Sequence, residues 1–208
     1  MHFTRRLLLT TGAAGLAAIM ASPSAIGAVQ TPAAEIKPPL LGAAKAPKRL
    51  VVWGSYTCPY TAMLLATLKG IVTDLKQTVS VEWRHFPTHP PDPALHVAGL
   101  GFEGDHFWGF TFRVLTEVYK GGGQYKALTP EKLAEFAKAE GGSAETLNAA
   151  YKDKAKWEAV QGDLMAGRLL GVTRTPGLFY NGYFMTPDGV PKDLKAFDKS
   201  LRAMLQSK

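Results

Sequence analysis

The sequence of 208 residues predicts an α/β fold that carries a helical insertion. Three observations point there: a strand–helix–strand pattern over residues 49–86, about 80 residues of helical periodicity after it, and an aromatic hairpin followed by an amphipathic helix at the end. A hydrophobic fraction of 46% and a charged fraction of 20% suit a globular chain, and the length suits one domain with an insertion.

Residues 1–28, MHFTRRLLLTTGAAGLAAIMASPSAIGA, are set aside first. They combine a basic start, an apolar run from Leu7 to Ala21 and small residues at Ala25, Gly27 and Ala28, the pattern of a cleaved signal peptide. The run falls short of the ~20 residues that span a bilayer, so stable membrane insertion after cleavage is not expected. Arg5 and Arg6 match a twin-arginine signal. Residues 29–48, rich in Pro and Ala without a period, read as an extended N-terminal segment.

RLVVWGSY, from Arg49, is a short apolar, β-branched run and predicts a buried strand. Met63, Leu64, Ala66, Leu68, Ile71, Val72 and Leu75 recur at helical spacing, and Pro59 suits the first helical position because the N–H it lacks would have no partner there. VSVEWRHF alternates as a strand does, completing the unit at residue 86. Residues 87–170 then read as helical: one stretch from Pro93 that glycines divide, a second capped by Thr129 with Pro130 and Glu131 in its first turn, and a third from Ser143 to Gly171. From 171 to 208 the pattern returns to sheet, with a hairpin turning at Asn181-Gly182, and closes on the helix DLKAFDKSLRAMLQ.

The formal charge of +7 falls to +5 without Arg5 and Arg6, and no basic run is interleaved with aromatics, so nucleic acid is not an expected partner. His85, His89, His96 and His106 match no zinc spacing and have no second cysteine to join them, so no metal is expected; HFPTHPPDP reads as a loop after a strand. Trp53, Trp83, Phe107, Trp108 and Phe110 read as core. The chain has one cysteine, Cys58, which cannot close an internal disulfide. Its place just before Pro59 sets it at a helix N-terminus, where free N–H groups and about half a positive charge favour thiolate over thiol.

Cys58-Pro59-Tyr60-Thr61 after an apolar strand, Gly171-Val172-Thr173-Arg174-Thr175-Pro176 before the hairpin, and the aromatic stretch GDHFWGFTFRVL resemble the DsbA-like family of periplasmic thiol-disulfide oxidoreductases. The resemblance covers residues 48–205 and implies a thioredoxin fold with a helical insertion, a periplasmic location and a cis peptide bond before Pro176. It implies that Cys58, Thr61, Thr175 and Pro176 form the catalytic set, with Pro59, Tyr60 and Arg174 bordering the bound partner. The Thr175 hydroxyl would donate to the thiolate. Thr61, standing where a dithiol enzyme has its second cysteine, would hydrogen-bond the sulfur or lie solvated in the first turn. Val52 stands where dithiol relatives often carry a buried acid, and Arg174 replaces a glycine seen in some of them; both weaken the case for ordinary disulfide oxidase activity.

Threonine cannot resolve a mixed disulfide. The expected activity is therefore monothiol exchange of Cys58 with protein disulfides or with glutathione as co-substrate, without a bound cofactor. Two other readings stay open: a glutathione transferase or isomerase resembling the kappa class, and a redox-silent peptide-binding chaperone.

Overall fold

Five strands form one mixed sheet in the order β1-β3-β2-β4-β5: β1 (Leu40–Gly42), β2 (Lys48–Gly54), β3 (Val79–His85), β4 (Gly177–Tyr180) and β5 (Tyr183–Phe184). The computed structural model describes residues 36–207 apart from Gln124, so the leader with its paired arginines lies outside the described residues. β2 runs parallel to β3, with Val52 opposite Trp83, and antiparallel to β4, with Val52 opposite Leu178. Helix α1 (Pro59–Asp74) makes the crossover between the parallel pair, as parallel strands require. The helical block follows β3 as α2 (Asp92–Gly99), α3 (Gly104–Lys120), α4 (Pro130–Ala139), α5 (Ala144–Lys152) and α6 (Lys154–Leu169), and α7 (Leu194–Gln206) closes the chain.

The apolar run in β2 is explained by burial on both faces. Leu50 and Val52 pack with Val81, Trp83 and Leu178 against Leu64, Leu65, Leu68 and Ile71 of α1 and Leu201 and Leu205 of α7. Val51 and Trp53 point the other way, to Phe86, Phe179 and Leu164 of α6. Each large apolar side chain withdrawn from water in this way stabilises the fold by roughly 1.5–3 kcal/mol. A third cluster, Val97, Leu100, Ala150 and Val160, ties α2, α5 and α6 together within the helical block.

Local signals placed most helix ends. Thr129 Oγ1 accepts from Lys132 N at 3.3 Å at the start of α4, and Asn181 and Gly182 both take the left-handed conformation, at φ 48° and 79°, that a two-residue hairpin turn requires. Two elements differ from the sequence reading. The third helical stretch is two helices, because Asp153 Oδ1 accepts from Ala155 N at 3.0 Å and caps a new helix, α6. Part of the extended N-terminal segment is a strand: Leu40–Gly42 pairs antiparallel with β3, Gly42 opposite Ser80. Three residues carry no period of their own, and the edge of β3 supplies the pairing. No described helix is long and apolar enough to cross a membrane.

Candidate functional site

Cys58 caps α1. It has extended backbone angles, φ −100° and ψ 115°, and its carbonyl accepts from Thr61 N at 3.0 Å and Ala62 N at 3.3 Å, so the helix begins at Pro59. Pro59 has no N–H and no acid stands in the first turn of α1, so the positive end of the helix faces the cysteine. The side chain is half-buried and Sγ–H donates to the Thr175 carbonyl at 3.3 Å, across 117 residues of chain. The Thr175–Pro176 peptide bond is cis, and Pro176 is buried while Thr175 is half-buried.

The structure thus brings Cys58, Thr175 and Pro176 together, with two corrections to the roles read from sequence. The Thr175 backbone carbonyl, and not its hydroxyl, faces the sulfur. Thr61 is fully buried, and its Oγ1 accepts from the Ser55 amide at 3.4 Å; it is neither solvated nor bonded to the sulfur. The third residue of a helix points back over the preceding turn, and that geometry aims the hydroxyl at the strand end where Ser55 needs an acceptor. Tyr60 is 57% exposed beside the cysteine and Pro59 is half-buried. Arg174 is exposed and donates to the Asp188 carbonyl at 3.2 Å, an anchor for its guanidinium on the loop beyond the hairpin.

Residues that sequence reasoning set aside stand directly behind the cysteine. Ser55, Tyr56 and Thr57 are buried, and Cys58 N–H closes their turn on the Ser55 carbonyl at 3.3 Å. Asp92, fully buried at the start of α2, accepts from Ser55 Oγ at 2.6 Å and Tyr56 N at 2.9 Å. The His89 ring nitrogen Nδ1 lies 2.9 Å from both the Thr57 and Thr88 hydroxyls. The Tyr56 phenol, bonded to Thr111 Oγ1 at 2.7 Å, is pushed above its ordinary range by burial. A clue was present in the sequence: Asp92 and His96 are four apart on an otherwise apolar helix, which sets both on one face.

A family model described as thioredoxin matches residues 34–200, most of the chain. The chain belongs to the thioredoxin family. No curated protein matches it by sequence. Among solved structures, this thioredoxin-family chain is similar to a protein-disulfide isomerase from Novosphingobium aromaticivorans, at 18% identity and a TM-score of 0.66, covering 81% of this chain and 97% of that one. It is similar to a periplasmic thioredoxin-like protein from Salmonella enterica serovar Typhimurium, at 23% identity and a TM-score of 0.64, covering 82% and 92%. Proteus mirabilis ScsC in a transitional conformation matches at 20% identity and a TM-score of 0.64, covering 82% and 75%. At these identities the likeness is one of fold: a thioredoxin fold, which in this chain has helices inserted between β3 and β4.

Proposed function

We propose that this thioredoxin-family protein is an exported, periplasmic monothiol that exchanges Cys58 with disulfides of proteins or of glutathione. The observation that carries the reading is the half-buried Cys58 sulfur at the N-terminus of α1, 3.3 Å from the carbonyl that precedes Pro176. The Cys58 thiolate attacks one sulfur of a disulfide; a new S–S bond forms, the old one breaks, and the other sulfur leaves as thiolate, with no net oxidation. Pro176 and Thr175 supply backbone against which a partner peptide lies in extended form, bordered by Pro59, Tyr60 and Arg174. Thr61 has no sulfur and its hydroxyl already serves Ser55, so an external thiol must release the adduct. The disulfide isomerase and the periplasmic thioredoxin-like protein named above support this reading by fold.

Mass spectrometry of protein recovered from the periplasm under acid quench tests it. A protein or glutathione adduct on Cys58, lost on reduction and absent in Cys58→Ser, is expected. Noncovalent glutathione binding that survives Cys58→Ser would favour the transferase reading instead, and client binding indifferent to blocking of Cys58 would favour a chaperone.

A further inference from the structure

Charge pairing sets one residue beside the cysteine apart. Arg49, Arg84, Arg113 and Arg202 each hold a carboxylate at 2.7–3.5 Å. Arg168 stands in the last turn of α6, where the negative end of the helix meets its charge. Arg174 has neither: among the described residues no carboxylate comes within ion-pair reach of its guanidinium, and Asp188 meets it through the backbone carbonyl at 3.2 Å.

The side chain is nevertheless held. Besides the bond to the Asp188 carbonyl, a Cβ built on Gly189 would lie 3.6 Å from Arg174 Cδ, so the aliphatic stem runs along the Asp188-Gly189 turn. Gly189 N–H closes that turn on the Thr186 carbonyl at 3.1 Å, and Thr186 Oγ1 donates to the Pro176 carbonyl at 3.1 Å. The loop that carries Pro176 and the turn that carries the guanidinium are therefore bonded to each other. Binding usually costs an arginine much rotamer freedom; here part of that freedom is already lost, while most of the N–H fork is still open to a ligand. Arg174 also adjoins Thr175, whose carbonyl receives the Cys58 thiol at 3.3 Å. Its Cα thus lies within roughly 10 Å of the sulfur, the reach of about three extended residues.

The surroundings have the same sign. Segments 55–63, 121–128 and 171–177 contain no acid. The first and last of them carry Cys58 and Pro176, and the middle one runs alongside: a Cβ built on Gly123 would lie 3.3 Å from Pro59 Cγ and Cδ. Lys120 and Lys126 on that side are both exposed. Asp92, behind the turn, is buried and engaged by Ser55, Tyr56 and Thr88. A field of this sign draws anions to the cysteine.

We propose that Arg174 is the specificity-determining residue of the exchange site: its guanidinium takes a carboxylate carried close to the partner's disulfide, so that acidic disulfides react in preference to neutral or cationic ones. Two partners offer that group: glutathione, with a carboxylate at each end, and a protein whose reacting cysteine has an acidic neighbour. This selectivity rests on the exchange reading above and leaves its chemical step unchanged.

Rates of adduct formation on Cys58, followed by mass spectrometry, test it with three small disulfides: dithiodipropionate, which is anionic, hydroxyethyl disulfide, which is neutral, and cystamine, which is cationic. Relative to their rates with a free thiol in solution, the wild type should favour them in that order. The ratio of anionic to neutral rates should fall about 5-fold in Arg174→Ala, the scale of one well-ordered exposed ion pair. It should fall further in Arg174→Glu, with cystamine then preferred, and recover in part in Arg174→Lys, which keeps the charge but loses the fork. About 1 M salt should bring the wild-type ratio down toward that of Arg174→Ala. A ratio equal in the wild type and all three variants overturns the role of Arg174, whatever the absolute rates do. Glutathione disulfide, and a peptide disulfide with Glu or Gln beside its cysteine, separate the two sources: dependence on Arg174 in either bears the selectivity out and names the source, and dependence in neither overturns it. A wild type that is alkylated by iodoacetamide but exchanges with none of these disulfides overturns the exchange reading itself. Exchange without charge preference leaves that reading standing and overturns only the role of Arg174.

Discussion

Gly54, the last residue of β2, leads directly into the cysteine turn, and Gly54→Ala should destabilise the protein by about 2 kcal/mol. A Cβ built there would lie 2.2 Å from Cη2 and Cζ3 of Trp83 and 3.0 Å from Cγ2 of Thr61, where carbon–carbon contacts settle at about 3.5–4.0 Å. The indole would have to retreat by more than about 1 Å. It has nowhere to go: Trp83 is fully buried, with ring centroids of Tyr56, His96 and Trp108 at 5.6, 5.9 and 6.4 Å. Overpacking of this kind costs about 1–3 kcal/mol, and the gain from replacing a strand glycine, about 0.5–1 kcal/mol, offsets only part of it. Urea melts should show a lower midpoint at unchanged slope, and Tm should fall by roughly 4–8 °C for a chain of this size. Gly162→Ala is the control. That glycine lies mid-way along α6 with no heavy atom within 4 Å of the new Cβ, so the same change should raise stability by about 1 kcal/mol. A loss below about 0.5 kcal/mol at Gly54 would refute the claim that Trp83 seals the end of β2.

Three other outcomes are expected. Thr186 Oγ1 accepts from Leu178 N at 2.9 Å and donates to the Pro176 carbonyl at 3.1 Å, both buried, so Thr186→Val should cost about 1–3 kcal/mol in a urea melt by leaving them unpaired. His85 is neutral in the fold, because burial first, then His96 and Arg84, hold its imidazole well below the ordinary value. A base depressed on folding contributes stability that is present above its unfolded pKa of about 6.5 and lost as pH falls below it. Between pH 7 and pH 5 the wild type should therefore lose on the order of 2 kcal/mol relative to His85→Gln, and equal losses in the two proteins would contradict this. Thr61→Cys should shorten the life of a glutathione adduct on Cys58 at least about 10-fold without added thiol, since a sulfur one helical turn away acts at high effective concentration; an equally persistent adduct, followed by mass spectrometry, would argue against exchange at this site.

Local sequence was enough to read the type of most elements and the position of Cys58 at a helix start. Pro59 after an apolar strand, the periodicity of Leu64, Leu68 and Ile71, the Thr129 cap and the Asn181-Gly182 turn are decided by backbone geometry and by groups a few residues apart. The internal break at Asp153 escaped because a capping aspartate inside a helical pattern looks like an ordinary polar residue until the chain turns there. β1 escaped because the strand it pairs with lies some 40 residues later, a pairing that three residues cannot announce. The composition of the site was a tertiary matter. Only folding could bring the Thr175 carbonyl to Cys58, turn Thr61 inward to Ser55, and gather Asp92, His96, His85 and Trp83 behind the turn. Each of those residues is polar in a stretch that otherwise reads as loop or core. A polar side chain gains a definite role only when burial strips it of water and leaves it dependent on whichever distant donor or acceptor the fold has placed within about 3 Å.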